Sequence, residues 1–142
     1  YNYTKKIRKT ILKKIITLLF VLSISIFAEL KNEYPTQKLI DSKIPIIDIR
    51  TPPEWVETGL VKGAIPIMFF DERARYDIPK FLNTLNKKID TTKPFALICR
   101  TGSRTKILSE FLSSELNYKV INLLGGMVYI KAKGLPIEAY KK

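Results

Sequence analysis

The sequence predicts an α/β domain, a mainly parallel sheet covered by helices on both faces. Two observations lead to that class. Short strand-like stretches at 46–49, 64–67, 95–98 and 118–122 alternate with segments whose apolar residues recur at helical spacing, the pattern of strand–helix–strand units. The first of these stretches is apolar on both sides of Asp48, which suits a strand buried on both faces rather than one with a wet side. A chain of 142 residues holds one such domain and a short appendage.

The appendage comes first. Residues 1–14 are basic and polar, and residues 15–28 are apolar apart from Thr17, Ser23 and Ser25. That order matches the charged and apolar regions of a secretory signal, with Ala28 as the last residue before cleavage. The apolar run is shorter than the ~20 residues that span a bilayer. Residues 1–28 are therefore expected to be a signal peptide, or else an uncleaved N-terminal membrane anchor. The expected location is the bacterial periplasm, or the membrane facing it. The α/β domain is expected over 29–142.

Within the domain, 29–36 reads as a polar linker, and Thr36 caps a short helix over 37–42. Pro45 opens the strand at 46–49, where Asp48 reads as a structural acid bonded to backbone or to Arg50, the alternative being a residue on the pocket rim. Thr51-Pro52-Pro53 reads as a turn, followed by one helical turn at 54–57 that Gly59 ends, with Trp55 packed inward. A strand at 64–67 leads into a mixed loop at 68–77, either a substrate-selecting wall or a plain surface connection. Pro79 starts a helix that turns Phe81, Leu82 and Leu85 inward. After the strand at 95–98, Ile107, Leu108, Phe111, Leu112 and Leu116 share one helical face. The last strand, at 118–122, turns through Leu123-Leu124-Gly125-Gly126, where Gly126 permits a backbone conformation closed to other residues. A final helix over 127–133 stops at Gly134.

Composition narrows the chemistry. The chain has one cysteine, Cys99, and no histidine. Cys-His and Ser-His-Asp catalysis are excluded, as are an intrachain disulfide and nearly all structural zinc sites. The net charge is +12, and six of its basic residues fall within 1–28; the remainder holds 19 basic and 13 acidic residues, a net +6. That excess attracts small anions, but no recognition motif for nucleic acid accompanies it.

Cys99 stands where a strand gives way to a helix, in Cys99-Arg100-Thr101-Gly102-Ser103-Arg104-Thr105. Backbone N–H groups that curl at such a turn, with a helix N-terminus behind them, form a nest for an anion. Here the anion is covalently attached, a thiolate or a persulfide made from it. Arg100 and Arg104 flank the thiol, and the loop holds no carboxylate; the alternative for Arg104 is a salt bridge to an acid on a neighbouring element. Reactive thiols occupy electropositive sites of this kind. The alternative is a buried structural cysteine.

Four stretches in order resemble the single-domain rhodanese-like sulfurtransferase family. They are the Cys99–Thr105 loop, Asp48-Ile49-Arg50 with Pro53-Glu54-Trp55, the glycine-bounded stretch 59–67, and Gly125-Gly126 with Gly134-Leu135-Pro136-Ile137-Glu138. The resemblance implies about five strands and a double displacement. Cys99 takes a sulfane sulfur from a small anionic donor such as thiosulfate, and a thiophilic acceptor, cyanide or a thiol, removes it. It also implies substrate-binding roles for Arg100, Thr101, Gly102, Ser103, Arg104 and Thr105, and no metal or organic cofactor. Related cell-cycle tyrosine phosphatases place their arginine six positions after cysteine, whereas Arg104 is five positions after Cys99, a tighter cup that implies sulfur transfer. Leu60 and Ile130 stand where the family often has histidine and tryptophan, and at Ile130 this implies an altered pocket wall. The alternative function is an exported persulfide carrier or binding module with little turnover on thiosulfate, served by a redox or sulfur-acceptor protein partner.

Overall fold

The computed structural model describes residues 29–141. The expected signal or anchor at 1–28 lies outside the described residues. Among the described residues, no helix is long and apolar enough to cross a membrane.

The elements, in chain order, are β1 (Lys31–Glu33), α1 (Gln37–Ile40), β2 (Ile46–Asp48), α2 (Pro52–Thr58), β3 (Leu60–Val61), β4 (Ile65–Pro66), α3 (Ile78–Lys88), β5 (Phe95–Ile98), α4 (Ser103–Leu116), β6 (Val120–Leu123), α5 (Gly126–Ala132) and β7 (Ile137–Glu138). Five strands form a parallel sheet in the order β1-β6-β5-β2-β4. β5 lies near its centre, with Leu97 opposite both Ile47 and Asn122. β3 and β7 form a separate antiparallel ribbon.

Strand parity divides the core. Successive side chains of a strand point to opposite faces, so Phe95 and Leu97 join Ile47, Phe81, Leu108 and Leu112 in one apolar cluster. Ala96 and Ile98 join Ile46, Trp55, Met127 and Ile130 in the other. Cys99 continues the odd phase of β5 and belongs to the first cluster, with Leu108. The end of the strand thus brings the thiol to the α4 side.

Several elements differ from expectation for local reasons. The polar stretch at 29–36 contains β1, whose three residues are all exposed. It pairs by backbone, and Asn122 Nδ2 donates to Asn32 Oδ1 at 2.8 Å, so hydropathy carries no sign of it. The prolines at 52 and 53 are the start of α2 rather than a turn. The first helical turn has no use for their missing N–H groups, and Thr51 with Glu54 completes a capping box there. Ile107 is 62% exposed although it shares a helical face with buried Leu108. Ile130 has no exposed surface and packs in the second core cluster rather than in a pocket wall.

Asp48 is structural, as expected. It and Arg50 are 0% and 1% exposed. Arg50 Nη2 donates to Asp48 Oδ2 at 2.7 Å and to the Gly59 carbonyl at 2.6 Å, and its Nη1 donates to Thr58 Oγ1 at 2.6 Å. Trp55 Nε1 donates to Asp48 Oδ1 at 3.2 Å. One guanidinium therefore ties the end of β2 to the far end of α2. Removing one partner of such a pair leaves a buried charge unanswered, so Asp48→Ala is expected to lose about 3–5 kcal/mol of stability in urea unfolding. The double variant Asp48→Leu/Arg50→Met should lose much less.

Candidate active site

β5 ends at Ile98, and the next four residues carry the chain to the start of α4. Gly102 turns the corner in the left-handed region, at φ +96°, and is the residue that precedes the helix. Its N–H donates to Cys99 Sγ at 3.1 Å. The sulfur therefore lies within the first turn of a 14-residue helix, where unpaired N–H groups favour negative charge. Cys99 itself has no exposed surface.

Thr105 closes the other side. It is fully buried, its hydroxyl donates to the Gly102 carbonyl at 3.1 Å, and its Oγ1 lies 3.6 Å from Cys99 Sγ. The hydroxyl thus faces Sγ itself. Thr101 and Ser103 are exposed and reach each other, Oγ1 to Oγ, at 3.3 Å. Arg100 is exposed and makes no ion pair among the described residues.

A second helix start holds the loop from behind. Met127 N–H donates to the Cys99 carbonyl at 2.9 Å, and Val128 N–H donates to the Arg100 carbonyl at 3.1 Å. Gly126, at φ +55°, lets α5 come this close: a Cβ there would meet the Cys99 carbonyl oxygen and lie 2.6 Å from that of Arg100. The sequence reading of Gly126 thus has a spatial reason.

Arg104 does not stand free beside the thiol. Its Nη1 and Nη2 donate to Glu54 Oε2 and Oε1 at 2.8 and 2.6 Å. Glu54 comes from the first turn of α2 and also accepts the N–H of Thr51 at 3.0 Å. The loop holds no carboxylate in sequence, but the fold supplies one. Burial pushes the pKa of Glu54 up. The bonds from Arg104 and Thr51 outweigh it and hold the group at about 2, against an ordinary value of 4.5. The bond to Glu54 raises Arg104; burial opposes this, while Glu54, Cys99 and Asp48 raise it further through charge. Glu54 received no role in the sequence reading, although the motif Pro53-Glu54-Trp55 contains it. Its signal was the acid itself, at the third position of a helix.

The 68–77 loop is more than a connection. Its Asp71 carboxylate accepts the N–H groups of Arg73 and Arg75 at 2.9 and 2.8 Å and Arg75 Nε at 2.7 Å. Pinned this way, the loop walls a cleft of about 530 Å³ against α3 and another of about 310 Å³ against α4.

A parallel α/β sheet that delivers one cysteine to a strand-to-helix turn at its carboxyl end, where a backbone N–H meets the sulfur, defines a cysteine-loop α/β domain. Residues 28–133 match the rhodanese-like domain family, and the chain belongs to that family. It is 29% identical over 112 residues to a sulfurtransferase of Allochromatium vinosum, covering 78% of this chain and 94% of the relative. Among solved structures, Rv0390 of M. tuberculosis superimposes with a TM-score of 0.61 at 18% identity, over 79% of this chain and all of that one. A rhodanese-like domain protein of Staphylococcus aureus superimposes with a TM-score of 0.53 at 24% identity, over 78% and 99%. These two likenesses show the same fold.

Two outcomes follow from the geometry. Gly126→Ala combines a left-handed backbone with a clash against two carbonyls, and is expected to cost roughly 2–5 kcal/mol in urea unfolding. Glu54 sits below its ordinary value when folded, so its contribution to stability is complete above about pH 4.5 and is lost as the pH falls toward 2. Between neutral pH and about pH 3, the urea midpoint of the native chain should therefore fall more than that of Glu54→Gln.

Proposed function

We propose that the protein is a sulfurtransferase that carries a sulfane sulfur on Cys99. The observation that carries this reading is the 3.1 Å bond from Gly102 N–H to Cys99 Sγ at the start of α4. A bond of this kind favours a sulfur anion, whether thiolate or persulfide. The A. vinosum relative, which bears the name sulfurtransferase, supports the same class.

In the first half-reaction, the Cys99 thiolate attacks the outer sulfur of thiosulfate. The donor's S–S bond breaks, its electron pair leaves with sulfite, and a Cys99 persulfide remains. In the second, a thiophilic acceptor attacks the outer sulfur, and the electron pair of the Cys99 S–S bond returns to Sγ. Cyanide leaves as thiocyanate, and a thiol leaves as a persulfide. Covalent catalysis divides one transfer into two. The backbone of the loop stabilises the sulfur anion, and Gly102 gives the loop its turn.

The side chains divide the remaining work unequally. Arg100, exposed and without an ion pair among the described residues, attracts the anionic donor and stabilises the departing sulfite. Arg104 is held by Glu54, so it fixes the loop and contributes less charge to the donor. Thr105 orients the inner sulfur. Thr101 and Ser103 offer hydroxyls at the loop surface. On the charge and hydropathy of 1–28 alone, we place this activity in the bacterial envelope.

Intact mass before and after thiosulfate, then after cyanide, tests the proposal. The expected result is a gain of one sulfur atom that cyanide removes, with thiocyanate released. Cys99→Ser should fold normally and show neither step; transfer that persists in it overturns the assignment. Arg100→Ala should raise KM for thiosulfate roughly 10-fold or more, since a lost charge-assisted contact is worth about 1.5–3 kcal/mol.

A further inference from the structure

In a double displacement through Cys99, negative charge leaves Sγ when the persulfide forms and returns when the outer sulfur is removed. Cys99 has no exposed surface, so protein groups must meet the returning charge. Among the described residues, two groups stand within hydrogen-bond distance of Sγ, the Gly102 N–H at 3.1 Å and Thr105 Oγ1 at 3.6 Å. The guanidinium groups nearby are bonded elsewhere. Arg104 holds Glu54, and Arg50 holds Asp48. Arg100 is exposed and lines a small surface cleft with Glu57 and Lys131.

The two groups on Sγ differ in kind. The Gly102 N–H is fixed by the backbone and offers its proton to the sulfur in every state. The Thr105 hydroxyl has one proton and two acceptors within reach. Oγ1 lies 3.1 Å from the Gly102 carbonyl oxygen and 3.6 Å from Sγ. Turning about the Cβ–Oγ1 bond carries the proton from one acceptor to the other without moving a heavy atom. With the proton on the carbonyl, Oγ1 presents lone pairs to Sγ. That suits a thiol, whose S–H donates to them, and a persulfide, whose Sγ carries no charge. It does not suit a thiolate, because oxygen lone pairs then face an anion.

The turn of the hydroxyl leaves no group unpaired. The Gly102 carbonyl also accepts the Lys106 N–H at 3.1 Å, a helical bond of α4, so it keeps a partner when the proton goes to Sγ. Thr105 is the third residue of α4 and has no exposed surface. The helix therefore fixes its Cβ, and burial shields the hydroxyl from bulk water. A threonine bonded to the carbonyl three residues back is common in helices and by itself implies no function. Here the second acceptor of that hydroxyl is the reacting sulfur.

We propose that Thr105 is a catalytic residue of the discharge step, its hydroxyl turning from the Gly102 carbonyl to Cys99 Sγ as charge returns there. The acceptor attacks the outer sulfur of the persulfide, the S–S bond breaks, and its electron pair goes to Sγ. The hydroxyl proton stays on Oγ1 throughout and changes only the atom it is donated to. The thiolate so formed has two donors, the Gly102 N–H and the Thr105 O–H. The hydroxyl returns to the carbonyl when the next sulfur is loaded. No oxidant, reductant or further proton is consumed. The inference rests on the reading of Cys99 as a persulfide carrier and adds the group that stabilises the leaving sulfur.

The test separates discharge from loading in the full chain. Protein loaded with excess thiosulfate and freed of it is mixed with cyanide at one fixed pH. Intact mass of quenched samples gives the loss of the sulfur atom with time. Thr105→Val keeps the shape of the side chain and removes the hydroxyl, and the Gly102 carbonyl keeps its Lys106 N–H. Its discharge rate constant should fall about 10-fold or more, the scale of a lost donor to developing charge. Thr105→Ala, which also lacks the hydroxyl, should be slowed as much, and Thr105→Ser should recover most of the loss. The urea midpoints of the variants read any structural role separately. The inference is overturned if the discharge rates do not sort by the presence of the hydroxyl: Thr105→Val or Thr105→Ala within about twofold of the native chain, or Thr105→Ser as slow as they are. A native chain that gains no sulfur from thiosulfate overturns the persulfide reading, and this inference with it. A native chain that loads and discharges, beside hydroxyl-free variants that discharge at its rate, overturns this inference alone.

Discussion

A guanidinium that is 1% exposed is tolerated in an apolar core only if oxygens meet its N–H groups, and Arg50 finds them on Asp48, Thr58 and the Gly59 carbonyl. The rest of the site follows from that arrangement. The contacts fix the direction of α2 relative to β2. The direction of α2 places Glu54, and Glu54 holds Arg104 in the first turn of α4. One ion pair thus ties α4, the helix that backs the thiol, to α2, and another ties α2 to β2. Buried pairs are weak evidence for stability but strong constraints on geometry.

The loop is held from three directions. β5 delivers Cys99 on the α4 side by strand parity, α4 offers the Gly102 N–H to the sulfur, and α5 grips the carbonyls of Cys99 and Arg100. The sulfur and the two carbonyls are thus oriented oppositely, with the sulfur toward one helix start and the carbonyls toward another. The loop's hydrogen-bonding groups are thereby fixed in direction. Gly126 makes the second grip possible, because any Cβ would push α5 away from the loop.

The electrostatics of the site are more restrained than the chain's charge suggests. Of the two arginines in the loop, Arg104 is answered by Glu54, and the buried Arg50 by Asp48. Arg100 makes no ion pair among the described residues.

By itself the sequence determined the class of fold, the position of Cys99 at a strand-to-helix turn, and the exclusion of histidine-dependent chemistry. Those properties reside in local hydropathy, in turn residues and in composition. It also showed Asp48 as structural and Gly126 as special, because an acid inside an apolar run and paired glycines each have few explanations. Tertiary structure alone decided the rest. β1 has no apolar residue and exists only by pairing with β6; the ribbon of β3 and β7 joins residues 60–61 to 137–138, too short and too distant for any window to detect. Glu54 and Arg104 are fifty residues apart in the chain, and no local pattern tells an arginine that faces a substrate from one that faces a carboxylate. Their meeting is a property of how α2 and α4 pack, and packing is a long-range outcome that composition and spacing do not encode.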